Sequence, residues 1–233
     1  MDSELKYKKE GINLAGAMIT ERSSVGLGDG STILMLAEML VEKIKQGLQI
    51  SLYTSSLKTQ VYLMKSGVQT LDIQTIDSLD IYFDGCDQVD ADLNAFKSGS
   101  GIHTSEKLLA SMAKKFVLLA DASKFVNKMS NRFPLVLEIL PRSENYVMNQ
   151  MKTRFPGISL SIRKQEDSGN LILTRDNNYL VDCYFDILPE LSFLQICKNI
   201  TGVVDHSLFF ELAHELISFD KESARKLERL QMI

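Results

Sequence analysis

The chain has 233 residues, of which 45% are hydrophobic and 24% are charged. This composition is ordinary for a globular protein, and the length allows one large domain with a smaller appendage. The formal net charge of −4 gives no overall attraction to nucleic acid or to an anionic membrane. No apolar segment approaches the ~20 residues of a membrane span, and the charged first ten residues lack the apolar region of a secretory signal. We therefore expect a cytoplasmic protein with no nucleic-acid or membrane partner.

The three cysteines and three histidines are scattered along the chain. They show neither CxxC nor HExxH spacing, so the sequence predicts neither a zinc site nor a disulfide framework. We expect no metal and no cofactor, and any catalysis then depends on carboxylates, lysines and backbone amides.

The first half of the chain alternates strand and helix patterns. The predicted strands are 24–28, 48–53, 79–83 and 116–120, and the predicted helices are 32–45, 58–65 and 105–114. Such alternation is typical of an α/β domain with a mostly parallel sheet that is covered on both faces. Ligands of open α/β sheets bind at the carboxyl ends of the strands.

The pattern changes after about residue 127. The predicted strands are 134–140, 157–163, 170–174 and 178–184, the predicted helices are 144–154 and 187–199, and a hairpin turn is predicted at 175–177. We interpret residues 129–202 as a smaller α+β domain inserted into a main α/β domain of residues 1–128 and 203–233.

The first candidate site motif is GLGDGST at residues 26–32, between a strand and an amphipathic helix. Glycines let the backbone approach a ligand, and a helix start offers free N–H groups to an anion. Ser31 and Thr32 add hydroxyl donors. The motif lacks GK[ST] and a full GxGxxG, and many glycine-rich turns of this kind bind nothing charged.

The second motif is DGCDQVD at residues 84–90, directly after a predicted strand. It places Asp84 and Asp87 at the carboxyl end of that strand, where two carboxylates suit proton transfer or a metal. The alternative is an acidic turn whose side chains cap local amides.

The third motif is KSGSGIHTSEK at residues 97–107. Lys97 leads into a Ser/Gly loop, and a helix is predicted to begin near Ser105, with Thr104 or Ser105 as its N-cap and Glu106 in its first turn. The role of Glu106 could be limited to a favourable interaction between its negative charge and the helix dipole. This interaction would keep its carboxylate ionised. A lysine, loop amides and a glutamate are also the groups needed to form and stabilise an enediolate.

The fourth motif, ADASK at residues 120–124, places Asp121 and Lys124 just after an apolar strand. Each motif alone is a modest signal, and a lone lysine in this position is solvated in most proteins. In this order, however, the four motifs resemble the signature series of A-type ribose-5-phosphate isomerases. Further matches are ELKxKK near residue 4, TSS at 54–56, IDSLD at 76–80 and GVVDHSLF at 202–209.

The resemblance covers essentially the whole chain. It implies a mostly parallel, doubly covered α/β domain with a smaller α+β lid-like domain, assembled as homodimers or homotetramers. It also implies an aldose–ketose isomerase of the pentose phosphate pathway that interconverts ribose 5-phosphate and ribulose 5-phosphate without a cofactor.

The resemblance further implies a role for each matching residue. Glu106 would be the general base, Asp84 would open the sugar ring and relay protons between sugar oxygens with Asp87 beside it, and Lys97 would hold the oxyanion with the amides of residues 98–101. The phosphate would rest on residues 30–32, with Lys124 and Lys8 as counter-charges. The substrate-binding residues implied in this way are Asp29, Gly30, Ser31, Thr32, Gly85, Cys86, Ser98, Gly99, Ser100, Lys124 and Lys8.

The sequence departs from the family pattern in several places. Asp29 replaces a threonine in the phosphate loop, where it either repels the phosphate or turns away, and we expect it to cap the helix that follows. Ser98 and Ser100 replace glycines and would be strained if their φ angles were positive. Gln88 replaces a glutamate. These changes leave open an isomerase of a related sugar phosphate, or a sugar-phosphate-binding protein of the same fold without catalytic activity.

Overall fold

The computed structural model describes residues 2–229, with side chains from Lys6 onward. Its largest element is a six-stranded sheet. In spatial order the strands are β13 (Ala224–Glu228), β12 (Glu215–Phe219), β6 (Phe116–Asp121), β3 (Ile81–Asp84), β1 (Ser24–Leu27) and β2 (Ser51–Thr54). All neighbours run parallel except β13, which pairs antiparallel with β12 at one edge.

Helices cover both faces of this sheet. One face packs against α1 (Asp2–Ala17), α2 (Ser31–Lys45) and α3 (Leu57–Lys65), and the other packs against α4 (His103–Met112). The buried side of α2 consists of Ile33, Leu36, Ala37, Leu40 and Val41, which are the residues at helical spacing in the sequence. The predicted doubly covered, mostly parallel sheet is confirmed.

A second, four-stranded sheet is entirely antiparallel. Its strands, in spatial order, are β10 (Val203–His206), β7 (Leu135–Ile139), β9 (Tyr179–Tyr184) and β8 (Ser159–Ile162). Helix α5 (Glu144–Arg154), helix α6 (Leu191–Leu194) and the 3-10 helix Gln195–Asn199 pack on it. The smaller α+β unit is therefore present as predicted from the change of pattern.

A small three-stranded sheet joins the two units. It contains β11 (Leu208–Phe209), β5 (Ala95–Phe96) and β4 (Gln88–Val89), all antiparallel. Phe209 and Ala95 pack into the core of the main unit, whereas Leu208 and Phe96 pack into the core of the smaller one. The side chains of this small sheet thus contribute to the hydrophobic cores of both units.

Several local predictions differ from the structure. The predicted strand 170–174 makes only isolated bridges, from Leu171 to Lys164 and from Leu173 to Tyr179. The predicted helix 187–199 becomes helical only from Leu191, because a residue that precedes a proline, here Leu188, disfavours helical dihedrals. Helix α4 begins at His103 rather than near Ser105.

The chain was expected to return to the main unit near Val203. In the structure, residues 203–206 form β10 and pair with β7 in the smaller sheet, and the chain rejoins the larger sheet at β12. The sequence analysis also assigned no element to α1, β12 or β13. Within residues 2–229 no helix is long and apolar enough to cross a membrane.

Candidate active site

The glycine-rich loop after β1 passes directly over the carboxylate that ends β3. A Cβ atom on Gly28 would lie only 2.0 Å from Cγ of Asp84, so any side chain at this position would collide with it. Gly30 has a φ of 110° and immediately precedes α2, whose first amides receive no side-chain cap. Because these amides have no partner in the helix, they are available to an anion.

Asp84 is fully buried at the end of β3 and receives several hydrogen bonds. The Tyr82 hydroxyl donates to its Oδ2 at 2.6 Å, and the amides of Gly85 and Asp29 donate to its Oδ1 at 2.7 and 3.2 Å. The carboxylate is therefore held in one orientation by both neighbouring loops.

A buried lysine lies between two carboxylates. Lys97 Nζ is 3.0 Å from Oδ2 of Asp84 and 3.3 Å from Oε1 of Glu106, and it donates to the carbonyl of Gly85 at 2.6 Å. Lys97 is 6% exposed, and the two carboxylates are not exposed at all. Burial alone would lower the pKa of Lys97, but the charges of Asp84 and Glu106 raise it above its usual value, so this lysine stays cationic.

Glu106, in the first turn of α4, has an unusual proton affinity. Burial, with a contribution from the charge of Asp84, raises its pKa to about 8, although Lys97 opposes the shift. Apart from the ion pair with Lys97, neither of its carboxylate oxygens has a hydrogen-bond partner among the described residues. Burial thus opposes the expectation that the helix start keeps Glu106 ionised, because desolvation disfavours the charged form of this side chain.

These groups open onto one cavity of about 170 Å³. Most of the predicted site residues line it, and Leu119 of β6 is an addition to them. The lining residues are Asp29, Gly30, Ser31, Thr32, Gly85, Cys86, Asp87, Lys97, Gly99, Ser100, Glu106, Leu119 and Lys124. Three predicted residues lie outside this lining, namely Asp84, whose Oδ2 is 3.0 Å from Lys97 Nζ, the buried Ser98, and Lys8 on α1.

Two further lysines contact the segments that border the cavity. Lys124 reaches from the loop after β6 and donates to the carbonyl of Cys86 at 2.6 Å, and Lys8 donates to Oγ of Ser31 at 3.3 Å. Neither lysine forms an ion pair with a carboxylate among residues 6–229. Burial raises the pKa of the Cys86 thiol to about 12, so it remains protonated.

Asp87 organises the loop after Lys97. Its Oδ2 accepts hydrogen bonds from the amides of Ser98 at 2.5 Å and Gly99 at 3.0 Å. Those two amides are therefore engaged and are not free to stabilise an oxyanion, contrary to the expectation from the resemblance. Arg163 of the smaller unit donates to the carbonyls of Ser98 and Gly99 and forms an ion pair with Asp182.

The residues that depart from the family pattern fit without strain. Asp29 does not cap α2; its Oδ1 accepts a hydrogen bond from the Ser56 hydroxyl at 2.5 Å. Ser98 and Ser100 do not have positive φ angles, since in this loop only Gly101 does. The Gln88 side chain pairs with Ser130, outside the cavity.

The sequence analysis gave no site role to three residues that shape the site: Tyr82, Arg163 and Ser56, of which Ser56 was noted only within the TSS match. Tyr82 could have been found, because residues i and i+2 of a strand share a face and Tyr82 is two residues before Asp84. Arg163 gave no local signal, since it reaches the loop from a separate sheet. The described part of the chain holds no cluster of three or more His, Cys, Asp or Glu side chains suited to a metal.

A helix start that can receive an anion, and a buried lysine between two carboxylates, share one cavity. This combination defines an enzyme that binds a small anionic substrate and moves protons on it.

Comparison with known proteins gives the family. The sequence profile of ribose 5-phosphate isomerase A (phosphoriboisomerase A) matches residues 51–223. Ribose-5-phosphate isomerase A 1 of Oceanobacillus iheyensis is 33% identical over 225 residues, covering 96% of this chain and 98% of that protein. Ribose-5-phosphate isomerase A of Archaeoglobus fulgidus is 32% identical over 232 residues, covering 97% and 100%. The chain belongs to the ribose 5-phosphate isomerase A family.

Solved structures agree with this assignment. A D-ribose-5-phosphate isomerase in complex with phospho-erythronic acid superimposes with a TM-score of 0.88 at 25% identity, covering 96% of this chain and 98% of that one. Ribose 5-phosphate isomerase A of Methanocaldococcus jannaschii gives a TM-score of 0.86 at 26% identity, covering 97% and 98%.

Proposed function

We propose that Glu106 is the general base with which this chain interconverts ribose 5-phosphate and ribulose 5-phosphate through an enediolate. The family assignment supports the reaction and its place in the pentose phosphate pathway. The observation that carries the residue assignment is the buried Glu106 carboxylate, which faces the cavity beside Lys97 with no hydrogen-bond partner among the described residues.

The first chemical step is the transfer of the C2 proton of open-chain ribose 5-phosphate to Glu106. The electrons of the broken C–H bond form a C1–C2 double bond, and the C1 carbonyl oxygen becomes an oxyanion. A pKa of about 8 makes Glu106 a stronger base than an exposed carboxylate, which favours abstraction of a carbon-bound proton. Glu106 then returns the proton to C1.

The second requirement is charge stabilisation and proton transfer between O2 and O1. Lys97 remains cationic and lies 3.3 Å from the base, so it stabilises the oxyanion as negative charge leaves Glu106. The resemblance assigns to Asp84 the transfer of the proton from O2 to O1 and the proton transfer that opens the sugar ring, which requires the bound sugar to reach the buried carboxylate beside Lys97. Tyr82 and the loop amides hold the Asp84 carboxylate for this task.

The phosphate binds at the other end of the cavity. The free amides at the start of α2, the hydroxyls of Ser31 and Thr32, and the ammonium group of Lys124 provide donors and positive charge there. Lys8 adds a second cation through its contact with Ser31. Asp87 positions the loop of Ser98, Gly99 and Ser100 that closes the cavity.

The resemblance also supports a homodimer or homotetramer in the cytoplasm, without metal or cofactor. Light scattering of the purified protein tests the assembly.

Activity and metal independence are tested together by a coupled assay with ribose 5-phosphate in the presence of EDTA. We expect full turnover after exhaustive chelation. Loss of activity that Mg²⁺ or Mn²⁺ restores would contradict the mechanism, because Lys97 would then not be sufficient to stabilise the oxyanion.

A further inference from the structure

A second buried lysine follows the proposed base directly in the sequence. Lys107 Nζ lies 2.7 Å from Oδ1 of Asp205 and donates to the carbonyl oxygen of His206 at 2.5 Å. Lys107 is 8% exposed and Asp205 is 6% exposed. The lysine belongs to α4, and the two acceptors belong to β10 of the smaller sheet. The ion pair therefore joins the helix that carries Glu106 to the other structural unit.

Lys107 is separated from the substrate cavity. Lys107 does not line the cavity. The ring of Phe209 lies near both Lys107 and Lys97, with its centroid 5.3 Å from Lys107 Nζ and 5.8 Å from Lys97 Nζ. The side chains of Glu106 and Lys107 thus extend from the same turn of α4 in different directions. Glu106 extends toward the cavity, and Lys107 extends toward β10.

Stability alone does not account for this pair. Burying two charges costs desolvation energy, and well-packed apolar side chains in the place of a buried ion pair often leave stability unchanged or increase it. Desolvation is strong here, because burial lowers the pKa of Lys107 to about 8 even though Asp205 opposes the shift. Charged hydrogen bonds differ from apolar contacts because they fix the distance and the direction between the two groups.

The groups around Lys107 fix the Asp205 carboxylate in place. Asp205 also receives the amide of His206 at 2.8 Å and the ammonium group of Lys198 at 3.2 Å. His103, in the same helical turn, is fully buried, and burial lowers the pKa of His103 and of His206 to about 3, so both rings are neutral. Lys107 is therefore the cation that holds this turn of α4 against Asp205.

We propose that Lys107 and Asp205 are positioning residues for the isomerisation: their ion pair holds the first turn of α4 against β10 and thereby sets the place of the Glu106 carboxylate relative to Lys97 and to the substrate C2. This inference rests on the proposed function of Glu106. A displacement of about 1 Å at a catalytic group can cost about 100-fold in rate. Because Lys107 touches neither end of the cavity, its loss should reduce kcat and leave KM nearly unchanged.

The test compares three variants: Lys107→Met, Asp205→Leu and the double variant. The single variants leave one buried charge unpaired and are expected to lose stability, whereas the double variant is expected to recover the melting temperature of the parent. We expect the folded double variant to keep a kcat at least about tenfold below the parent with KM within about threefold. Lys115→Met is the matched control, because Lys115 pairs with Glu215 outside the cavity, and its kcat should equal that of the parent.

A second readout separates positioning from loss of folded enzyme. With ribose 5-phosphate deuterated at C2, a displaced base slows proton abstraction relative to the other steps, so the isotope effect on kcat should be larger than in the parent, whereas loss of folded enzyme leaves it unchanged. A double variant that folds and has the kcat of the parent overturns the inference, as does a loss of kcat that matches the loss of folded protein. Glu106→Gln is measured in the same experiment. If this variant retains activity, the proposed function fails. If it is inactive while the double variant is fully active, only the positioning role is refuted.

Discussion

The two ends of the cavity differ in the chemical groups that they present and in how far those groups are buried. At the acid–base end, Asp84, Lys97 and Glu106 are almost completely removed from solvent, and Lys97 Nζ lies 3.0 Å from Asp84 and 3.3 Å from Glu106. At the end where we propose that the phosphate binds, the positive character comes from uncapped amides of α2 and from Lys124, which has no carboxylate partner among the described residues.

This difference separates two tasks. Burial among charges changes proton affinities, as the raised pKa of Glu106 shows, and this serves chemistry. Backbone amides and lysine ammonium groups supply fixed positive character, and we propose that they hold a permanently charged group. We therefore expect substitutions at the first end to act on kcat, and substitutions at the second end to act on KM.

The largest effect is expected for Glu106→Gln. The amide keeps the shape of the side chain and cannot accept the C2 proton, so kcat should fall at least about 100-fold. The assay is turnover of ribose 5-phosphate, with circular dichroism to show that the fold is retained. Residual activity within about tenfold of the parent would exclude Glu106 as the base.

A somewhat smaller loss is expected for Lys97→Met. Removing the cation between Asp84 and Glu106 takes away the stabilisation of the oxyanion, and kcat should fall about 100-fold. Because Lys97 lowers the pKa of Glu106, that pKa should also rise in the variant and move the acidic limb of the pH profile to higher pH. An acidic limb that stays in place would show that Lys97 does not act on the base.

Lys124→Ala tests the phosphate end. Loss of one counter-charge should raise KM for ribose 5-phosphate about tenfold, which corresponds to about 1.4 kcal/mol of binding, and leave kcat unchanged. The increase should shrink at high ionic strength because salt screens the interaction. Lys128→Ala is the matched control, since Lys128 is 82% exposed and pairs only loosely with Glu190. A fall in kcat without a change in KM would contradict the division of tasks.

The smallest effect is expected for Asp29→Asn. The amide can still accept the hydrogen bond from Ser56 and no longer repels the phosphate, a repulsion of about 1 kcal/mol at 4 Å in water. KM should fall a few-fold at low salt and less at high salt. If the variant instead loses activity on another sugar phosphate, Asp29 binds a hydroxyl of that compound, and the alternative substrate would be favoured.

The sequence predicted much of this site because its motifs are local. Parallel strands bring their carboxyl ends to one edge of the sheet, so the segments after β1, β3 and β6 had to meet once those strands were recognised. The helix α2 and its glycine loop followed from apolar spacing and from the position of Gly30.

What could not be predicted depends on contacts between distant segments. The raised pKa of Glu106 comes from burial, and no local pattern reports how deeply a residue in the first turn of a helix will be buried. Asp29 had two plausible local roles, and its actual partner, Ser56, lies on another loop. The same reason hid Arg163, which reaches the site from the smaller sheet.

The pH dependence of kcat/KM tests the central claim most directly, namely that Glu106 is a base whose proton affinity is raised by burial beside Asp84. A carboxylate acts as a base only when it is deprotonated, so kcat/KM should rise with pH and level off near the Glu106 pKa of about 8. In Asp84→Asn the rise should move to lower pH, because the charge of Asp84 contributes to the raised pKa. A profile that is already level at pH 5, with no shift in Asp84→Asn, would contradict the account.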